Sequence, residues 1–343
     1  MKKIRIGVIC PSEIALRRFM PALMQCEEAE YAGVAIARGN EWYGAEGEDL
    51  SKITETELKK AEEFKNNWGG EIFGSYDELI ESDKTDAVYL PLPPALHFKW
   101  GKRVLESGKH LFVEKPSTTS AADTGALVEL ADKYNLAIHE NYMFMFHKQL
   151  DELDEIVRSG SIGEVRLYNI SFGFPMRERN DFRYSKRLGG GALLDCGGYT
   201  VKLAGRMLGD SARIVYSNLN YTDGFAVDMY GSAAMINDSG VTAQISFGMD
   251  NSYKCSMEIW GSSGCAAANR IFTAPAGYEP ELSIKKDNDI KTIKLSADDT
   301  FLKSIRSFIE CIRNEQARAE AFRQIVMQAE RVDKIKELSG CAG

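Results

Sequence analysis

Apolar residues in the first 140 positions fall into short unbroken runs separated by segments with helical spacing. Lys3 to Ile9, Ala32 to Ala37, Ala87 to Leu90, His110 to Val113 and Leu136 to Glu140 each read as a buried strand. Between them, Ser12 to Met24 carries Ile14, Leu16, Phe19, Met20 and Leu23 on one helical stripe. Ala95 to Glu106 reads as a helix stopped by Gly108, and Thr119 to Tyr134 as a capped one. Strands apolar on both faces and alternating with helices predict a Rossmann-type, doubly wound parallel sheet.

Beyond His147 the pattern changes. One amphipathic helix, His147 to Ser159, gives way to strands at Val165 to Gly173, Ala212 to Leu219, Phe225 to Ile236, Val241 to Met249, Cys255 to Gly261 and Cys265 to Asn269. Shorter ones follow at 282–284 and 292–294. Several alternate with period two, as in Val241 to Phe247, which predicts a large, mostly antiparallel open sheet with one covered face. Two amphipathic helices, Asp299 to Asn314 and Arg318 to Leu338, close the chain. The expectation is α/β followed by α+β, with a Rossmann domain over residues 1–143 and a second domain over 144–343.

Composition narrows the partners. A formal net charge of -8 argues against a nucleic-acid or anionic-membrane surface. The apolar run Ile4 to Cys10 is too short for a signal peptide or a membrane span, so a cytoplasmic location is expected. Seven scattered cysteines without CxxC spacing read as reduced thiols. Four histidines without HxxxH or HExxH spacing give no reason to expect a metal.

Candidate chemistry starts at the first turn. Where a dinucleotide loop shows G-x-G-x-x-G or A, this chain has Cys10-Pro11-Ser12-Glu13-Ile14-Ala15, of which only the last small residue fits. Ser12 is placed to cap the following helix, so a phosphate site is retained at its start. The second strand ends at Arg38, where NAD-selective folds carry Asp or Glu; an arginine there suits a 2′-phosphate. NADP(H) is therefore the preferred cofactor, with NAD(H) the alternative.

The stretch Asp86 to Pro116 reads as strand, proline-rich turn (Pro91, Pro93, Pro94), helix and second strand, ending in Glu114-Lys115-Pro116. Ligands of open parallel sheets bind at the carboxyl ends of the strands, which makes Lys115 a candidate catalytic residue and Glu114 its anchor. His97 reads as a histidine that fixes the loop near the cofactor, and Asn141 as a strand-end residue on the nicotinamide side. Further on, Gly189-Gly190-Gly191 precedes Asp195 and Tyr199, which share one face if the segment is helical. Arg177, Arg179, Arg183, Lys186 and Arg187 crowd the loop before these glycines and form a candidate set for sugar-linked phosphates, with Tyr253 a candidate reader of hydroxyls.

The amino-terminal unit, PLPPALH (Pro91 to His97), VEKP (Val113 to Pro116), ENYMFMFH (Glu140 to His147) and GGGALLDCGGY (Gly189 to Tyr199) together resemble the Gfo/Idh/MocA family of NAD(P)-dependent sugar and polyol oxidoreductases. The resemblance spans nearly the whole chain. It implies Lys115, Asp195 and Tyr199 as the residues around the reacting carbon, Tyr199 standing where much of the family has histidine. It also implies a substrate-binding second domain whose open sheet face joins copies into a homodimer or homotetramer. Substrate binding falls to Lys115, Arg177, Arg183, Asp195, Tyr199 and Tyr253; cofactor binding falls to Cys10, Ser12, Glu13, Ile14, Arg38, Pro91, Pro93, His97, Glu114, Lys115 and Asn141. The expected reaction is hydride transfer to or from a carbon of a free or nucleotide-linked sugar, with Tyr199 or Lys115 moving the proton. Two other readings stand beside it: a non-catalytic dinucleotide- or sugar-sensing regulator, and a dihydrodiol or polyol dehydrogenase.

Overall fold

The computed structural model describes residues 2–39, 41 and 50–340. The remainder of the acidic stretch between Gly39 and Leu50, and Cys341, lie outside the described residues. Two compact units emerge, Met1–Asn141 with Phe301–Val326, and Tyr142–Thr300 with Met327–Gly343.

The first unit runs β1 (Ile4–Ile9), α1 (Met20–Leu23), β2 (Ala29–Ala35), α2 (Leu50–Trp68), β3 (Glu71–Phe73), α3 (Tyr76–Glu81), β4 (Ala87–Leu90), α4 (His97–Glu106), β5 (His110–Glu114), α5 (Ala121–Lys133) and β6 (Ile138–Asn141). Its six strands are all parallel, in the order β3-β2-β1-β4-β5-β6. This is the doubly wound order expected of a dinucleotide fold. Ser75 and Ser120 cap α3 and α5 by accepting from the N–H groups of Glu78 and Asp123. Within the core, Phe19 stacks on Tyr89 at 3.8 Å and Phe112 meets both rings edge-on.

The second unit carries α6 (Lys148–Arg158), β7 (Val165–Gly173), α7 (Gly198–Leu208), β8 (Arg213–Tyr221), β9 (Asp228–Ile236), β10 (Thr242–Gly248), β11 (Lys254–Gly261), β12 (Cys265–Asn269), β13 (Glu281–Lys286) and β14 (Asp289–Lys294). These eight strands form one sheet, β14-β13-β12-β11-β7-β10-β9-β8, antiparallel except where β7 runs parallel to β10. Helix α7 packs on β7 and β10. The opposite face carries a row of serines in register, Ser232, Ser246, Ser171 and Ser256, with exposed Tyr216, Tyr230 and Trp260 around it. Period-two alternation is thus read out directly as a covered face and an open one.

Helices α8 (Thr300–Arg313) and α9 (Glu315–Leu338) end the described chain. Residues 301–326, which the sequence reading places in the second domain, group with the first unit. Their apolar stripe explains this, since Phe308 packs edge-on against Phe112 and Phe322 and Ile325 join the core beneath the parallel sheet. Among the described residues no helix is long and apolar enough to cross a membrane.

The start of β4 is pinned to β1 by one ion pair. Arg5 donates through its backbone N, Nε and Nη2 to the Asp86 carboxylate at 3.0, 2.9 and 2.7 Å. Hydrogen bonding from Arg5 holds the Asp86 pKa down at about 2. A carboxylate depressed in the folded state stabilises above its ordinary pKa near 4 and loses that contribution as pH falls toward 2. Asp86→Asn is therefore expected to lower stability at pH 7 by about 1 kcal/mol after screening by water. Thermal unfolding of both proteins from pH 7 to pH 3 checks this; a gap that stays constant with pH would refute the assignment.

Candidate functional site

At the carboxyl edge of the parallel sheet, β1 turns at Cys10, whose backbone sits at φ 70. The position normally taken by the loop's first glycine thus keeps a left-handed backbone without being glycine, which costs about 1–2 kcal/mol. Cys10 is buried and its Sγ lies 4.0 Å from Glu57 Oε2 on α2. Ser12 closes the turn by donating from its N–H to the Cys10 carbonyl, and its hydroxyl accepts from Ala15 N–H at 3.3 Å. A π-helical turn, Ala15–Phe19, then leads into α1. The N–H groups of Glu13 and Ile14 have no hydrogen-bond partner among the described residues. Donors at the positive end of a helix fit a diphosphate.

Arg38 follows β2 with an exposed guanidinium whose Nε donates to the Gly74 carbonyl at 3.1 Å. The nearby carboxylate, Glu41, is buried and already engaged. It accepts from Arg38 N–H at 2.7 Å and from Tyr76 and Asp77 N–H at 3.0 and 3.4 Å, capping α3. A solvent-facing guanidinium beside a committed carboxylate fits a phosphate monoester better than a ribose diol.

Strands β4, β5 and β6 end side by side, with Leu90 level with Val113 and Glu114 level with Asn141. Pro91 and Pro93 are buried in the segment after β4. His97 ties that segment to the one after β5, its ring reaching the Leu92 and Pro116 carbonyls at 2.6 and 2.8 Å. Burial pulls its pKa down to about 4 against the pull of both carbonyls, and the ring braces the loop. Glu114 Oε1 accepts from Tyr89 Oη at 2.7 Å and Asn141 Nδ2 at 2.6 Å. Burial raises its pKa, and these donors oppose that rise. Lys115, half-buried, follows directly. The parallel sheet thus gathers Pro91, Pro93, His97, Glu114, Lys115 and Asn141 along one edge.

The second unit holds the other candidates. Asp195 lies in a π-helical turn, Leu193–Gly197, that continues into α7, where Tyr199 is the second residue. The sequence reading puts the two on one face if the segment is helical; the wider turn changes how the two side chains are offset. Asp195 Oδ2 accepts from Arg183 Nε at 2.8 Å, and Arg183 also pairs with Asp181 at 3.1 Å. Burial alone would disfavour the guanidinium charge, but the two carboxylates outweigh it and raise its pKa. Arg183 is therefore bound up with Asp195, whereas the sequence reading gives it to substrate.

Arg177 is exposed with its guanidinium 5.3 Å from the Phe174 ring, and Arg179 lies similarly over Phe225. Tyr253 is half-exposed, its hydroxyl 3.1 Å from Thr273 Oγ1. Tyr199 is buried in an aromatic cage of Tyr142, Phe144, Phe172 and Phe272. Gln328 holds the cage, donating to the Gly198 carbonyl at 2.9 Å and to Tyr142 Oη at 3.4 Å.

The glycine run has a packing cause. A Cβ on Gly190 would stand 2.2 Å from the Arg183 carbonyl, and one on Gly191, at φ +121, 2.3 Å from Asp228 Oδ1. Asp228 in turn accepts from Leu193 N–H at 2.7 Å. These glycines let the arginine loop and Asp228 close on the helix that carries Asp195. Sequence reasoning missed Glu41, Asp228, Tyr89 and Gln328, since each acts on a residue distant in the chain; only the glycine triplet signalled a close approach.

Residues 30–142 match the oxidoreductase family with an NAD-binding Rossmann fold, and residues 150–267 match the GFO/IDH/MocA C-terminal domain. The chain is 35% identical to a dTDP-3,4-didehydro-2,6-dideoxy-alpha-D-glucose 3-reductase of Actinomadura kijaniata, covering 97% of this chain and 95% of the relative. A reductase of the same name from Streptomyces violaceoruber is also 35% identical, over 98% and 96%. Among solved structures, KijD10, a 3-ketoreductase from Actinomadura kijaniata in complex with NADP and TDP-benzene, superposes with a TM-score of 0.89 at 35% identity, covering 98% of each chain. Aldose-aldose oxidoreductase from Caulobacter crescentus shares the fold, with a TM-score of 0.84 at 18% identity over 99% and 98%.

The close approach at Gly191 is directly testable. Gly191→Ala is expected to destabilise by about 2–4 kcal/mol, because the added methyl meets a buried carboxylate on a strained backbone. Gly125→Ala, in an open position on α5, is expected to gain about 0.5–1 kcal/mol. Urea unfolding of both variants tests the contrast, and equal midpoints would remove the packing role assigned to Gly191.

Proposed function

This chain belongs to the Gfo/Idh/MocA family of NAD(P)-dependent oxidoreductases, and we propose that it is an NADP(H)-preferring ketoreductase acting on a nucleotide-linked sugar. The observation that carries the cofactor choice is the exposed Arg38 guanidinium beside a Glu41 carboxylate already committed to α3. The substrate class follows from full-length similarity to dTDP-sugar 3-reductases and a relative solved with NADP and TDP-benzene. The first unit, residues 1–141 with 301–326, is assigned to the dinucleotide, and the second unit to substrate and assembly.

Bound nicotinamide supplies the hydride. In reduction the carbonyl C=O π bond breaks, a C–H bond forms with the hydride pair, and the oxygen takes a proton. Lys115 polarises that oxygen and Tyr199 hands over the proton. Asp195, fixed by Arg183, orients the reacting group. Arg177 and Arg179 offer exposed guanidinium groups for the diphosphate. Glu13 and Ile14 N–H groups and the segment of Pro91 and Pro93, braced by His97, hold the cofactor, while Asn141 acts through Glu114.

A homo-oligomer is part of the same reading, built on the open sheet face with its serine row and exposed Trp260. A reducing cytoplasmic location agrees with six unbridged cysteines among the described residues.

Titration with NADPH and NADH is expected to show tighter NADPH binding, and Arg38→Ala to weaken NADPH selectively by about 10-fold or more. With a dTDP-linked 3-keto sugar, Lys115→Ala and Tyr199→Phe should each lower kcat by about 10²-fold or more. Failure of both nucleotides to bind at micromolar concentration would sink the enzyme reading. Full activity in Lys115→Ala would sink the catalytic assignment.

A further inference from the structure

Glu114 stands at the end of a buried hydrogen-bonded chain reaching into α8. Asn141 is fully buried; its Nδ2 donates to Glu114 Oε1 at 2.6 Å and its Oδ1 accepts from Ser304 Oγ at 2.8 Å. Ser304 is also fully buried, and the ring Nε2 of His139 lies 2.8 Å from the same hydroxyl oxygen. A serine hydroxyl has one hydrogen, here given to Asn141, so His139 must be the donor and carries a proton on Nε2. Its ring is set by Phe112 and Phe308, at 4.8 and 6.0 Å. Every hydrogen therefore points one way, from His139 through Ser304 and Asn141 to the carboxylate, which Tyr89 joins from the far side.

Packing alone does not account for this chain. Buried polar side chains stabilise less than apolar ones of the same shape unless every hydrogen bond is made, and here three elements contribute to a single line. The line has one thing to decide. An asparagine amide has two orientations related by a flip, and the wrong one would turn Oδ1 against the Glu114 carboxylate. The Ser304 hydroxyl, oriented by His139, selects the orientation that presents Nδ2.

We propose that Ser304 and His139 are positioning residues for the reaction: by fixing the Asn141 amide they fix Glu114, and with it the aim of the adjoining Lys115. This rests on the catalytic role given to Lys115 above. Neither residue touches substrate or cofactor in this account; both act through Asn141 and Glu114.

The test uses the full-length protein with NADPH and a dTDP-linked 3-keto sugar. Ser304→Ala is expected to lower kcat by about 10- to 100-fold while KM for both substrates and the Kd for NADPH stay within about threefold. Ser304→Thr, which restores the hydroxyl, should recover kcat to within about threefold. A folded Ser304→Ala with wild-type kcat would overturn the inference, as would a loss appearing only in KM. Should Ser304→Ala fail to fold, His139→Gln and His139→Phe decide, because glutamine keeps an N–H donor and phenylalanine does not. Higher kcat in the glutamine variant supports the chain; equal values overturn it. Lys115→Ala runs alongside. If it is inactive while Ser304→Ala is not impaired, the inference alone fails; if it keeps wild-type kcat, the catalytic reading fails and takes the inference with it.

Discussion

A parallel sheet brings the carboxyl ends of all its strands to one edge, and in the first unit this constraint decides which side chains meet. Leu90, Val113, Glu114 and Asn141 are placed by register before any side chain makes a contact. Strand ends also leave backbone carbonyls and N–H groups without ladder partners. His97 meets part of that need at the Leu92 and Pro116 carbonyls, and the Glu114–Asn141 pair ties two strand ends through their side chains, so the polar groups that finish the sheet are the ones that shape the candidate site. Fold completion and site construction are here one problem.

In the second unit, the solution is electrostatic. Arg183 is partly buried, and Asp195 and Asp181 balance its charge. Removing either carboxylate would leave a desolvated cation poorly compensated. The absence of Cβ atoms at Gly190 and Gly191 lets backbone and carboxylate approach closely enough for this arrangement. Charge, glycine and the π-helical turn therefore form one device, whose sequence trace is a glycine triplet followed by an aspartate.

Much of the architecture was legible because hydrophobic period reports burial directly. The alternation of Val241 to Phe247 became a strand with one covered face, and the run Ala87 to Leu90 a strand buried on both. Glu114-Lys115 at a strand end needed only the rule for parallel sheets. What stayed hidden depends on long-range contacts that no local pattern encodes. The grouping of 301–326 with the first unit rests on which surface an amphipathic helix meets, and amphipathicity alone does not name that surface. The membership of Ser304 in the Glu114 line spans 163 residues from its Asn141 partner. The Arg183–Asp195 pair stayed hidden because a sequence shows both charges without showing that they face each other.

The first turn shows why motif loss and site loss differ. Glycine is favoured there because the backbone must adopt positive φ, and Cys10 adopts it at a modest cost in strain. Attraction for a diphosphate comes from N–H groups and the helix terminus, neither of which depends on the side chain at that position. Glu13 and Ile14 still present such groups, and Ser12 still closes the turn. The side chain that replaces hydrogen at Cys10 points into the protein, toward Glu57, instead of toward the loop's donors. The departure from the glycine pattern is carried as backbone strain at Cys10 and an inward-directed side chain, which alters the energy of the loop and leaves the N–H groups of Glu13 and Ile14 presented at its helix start.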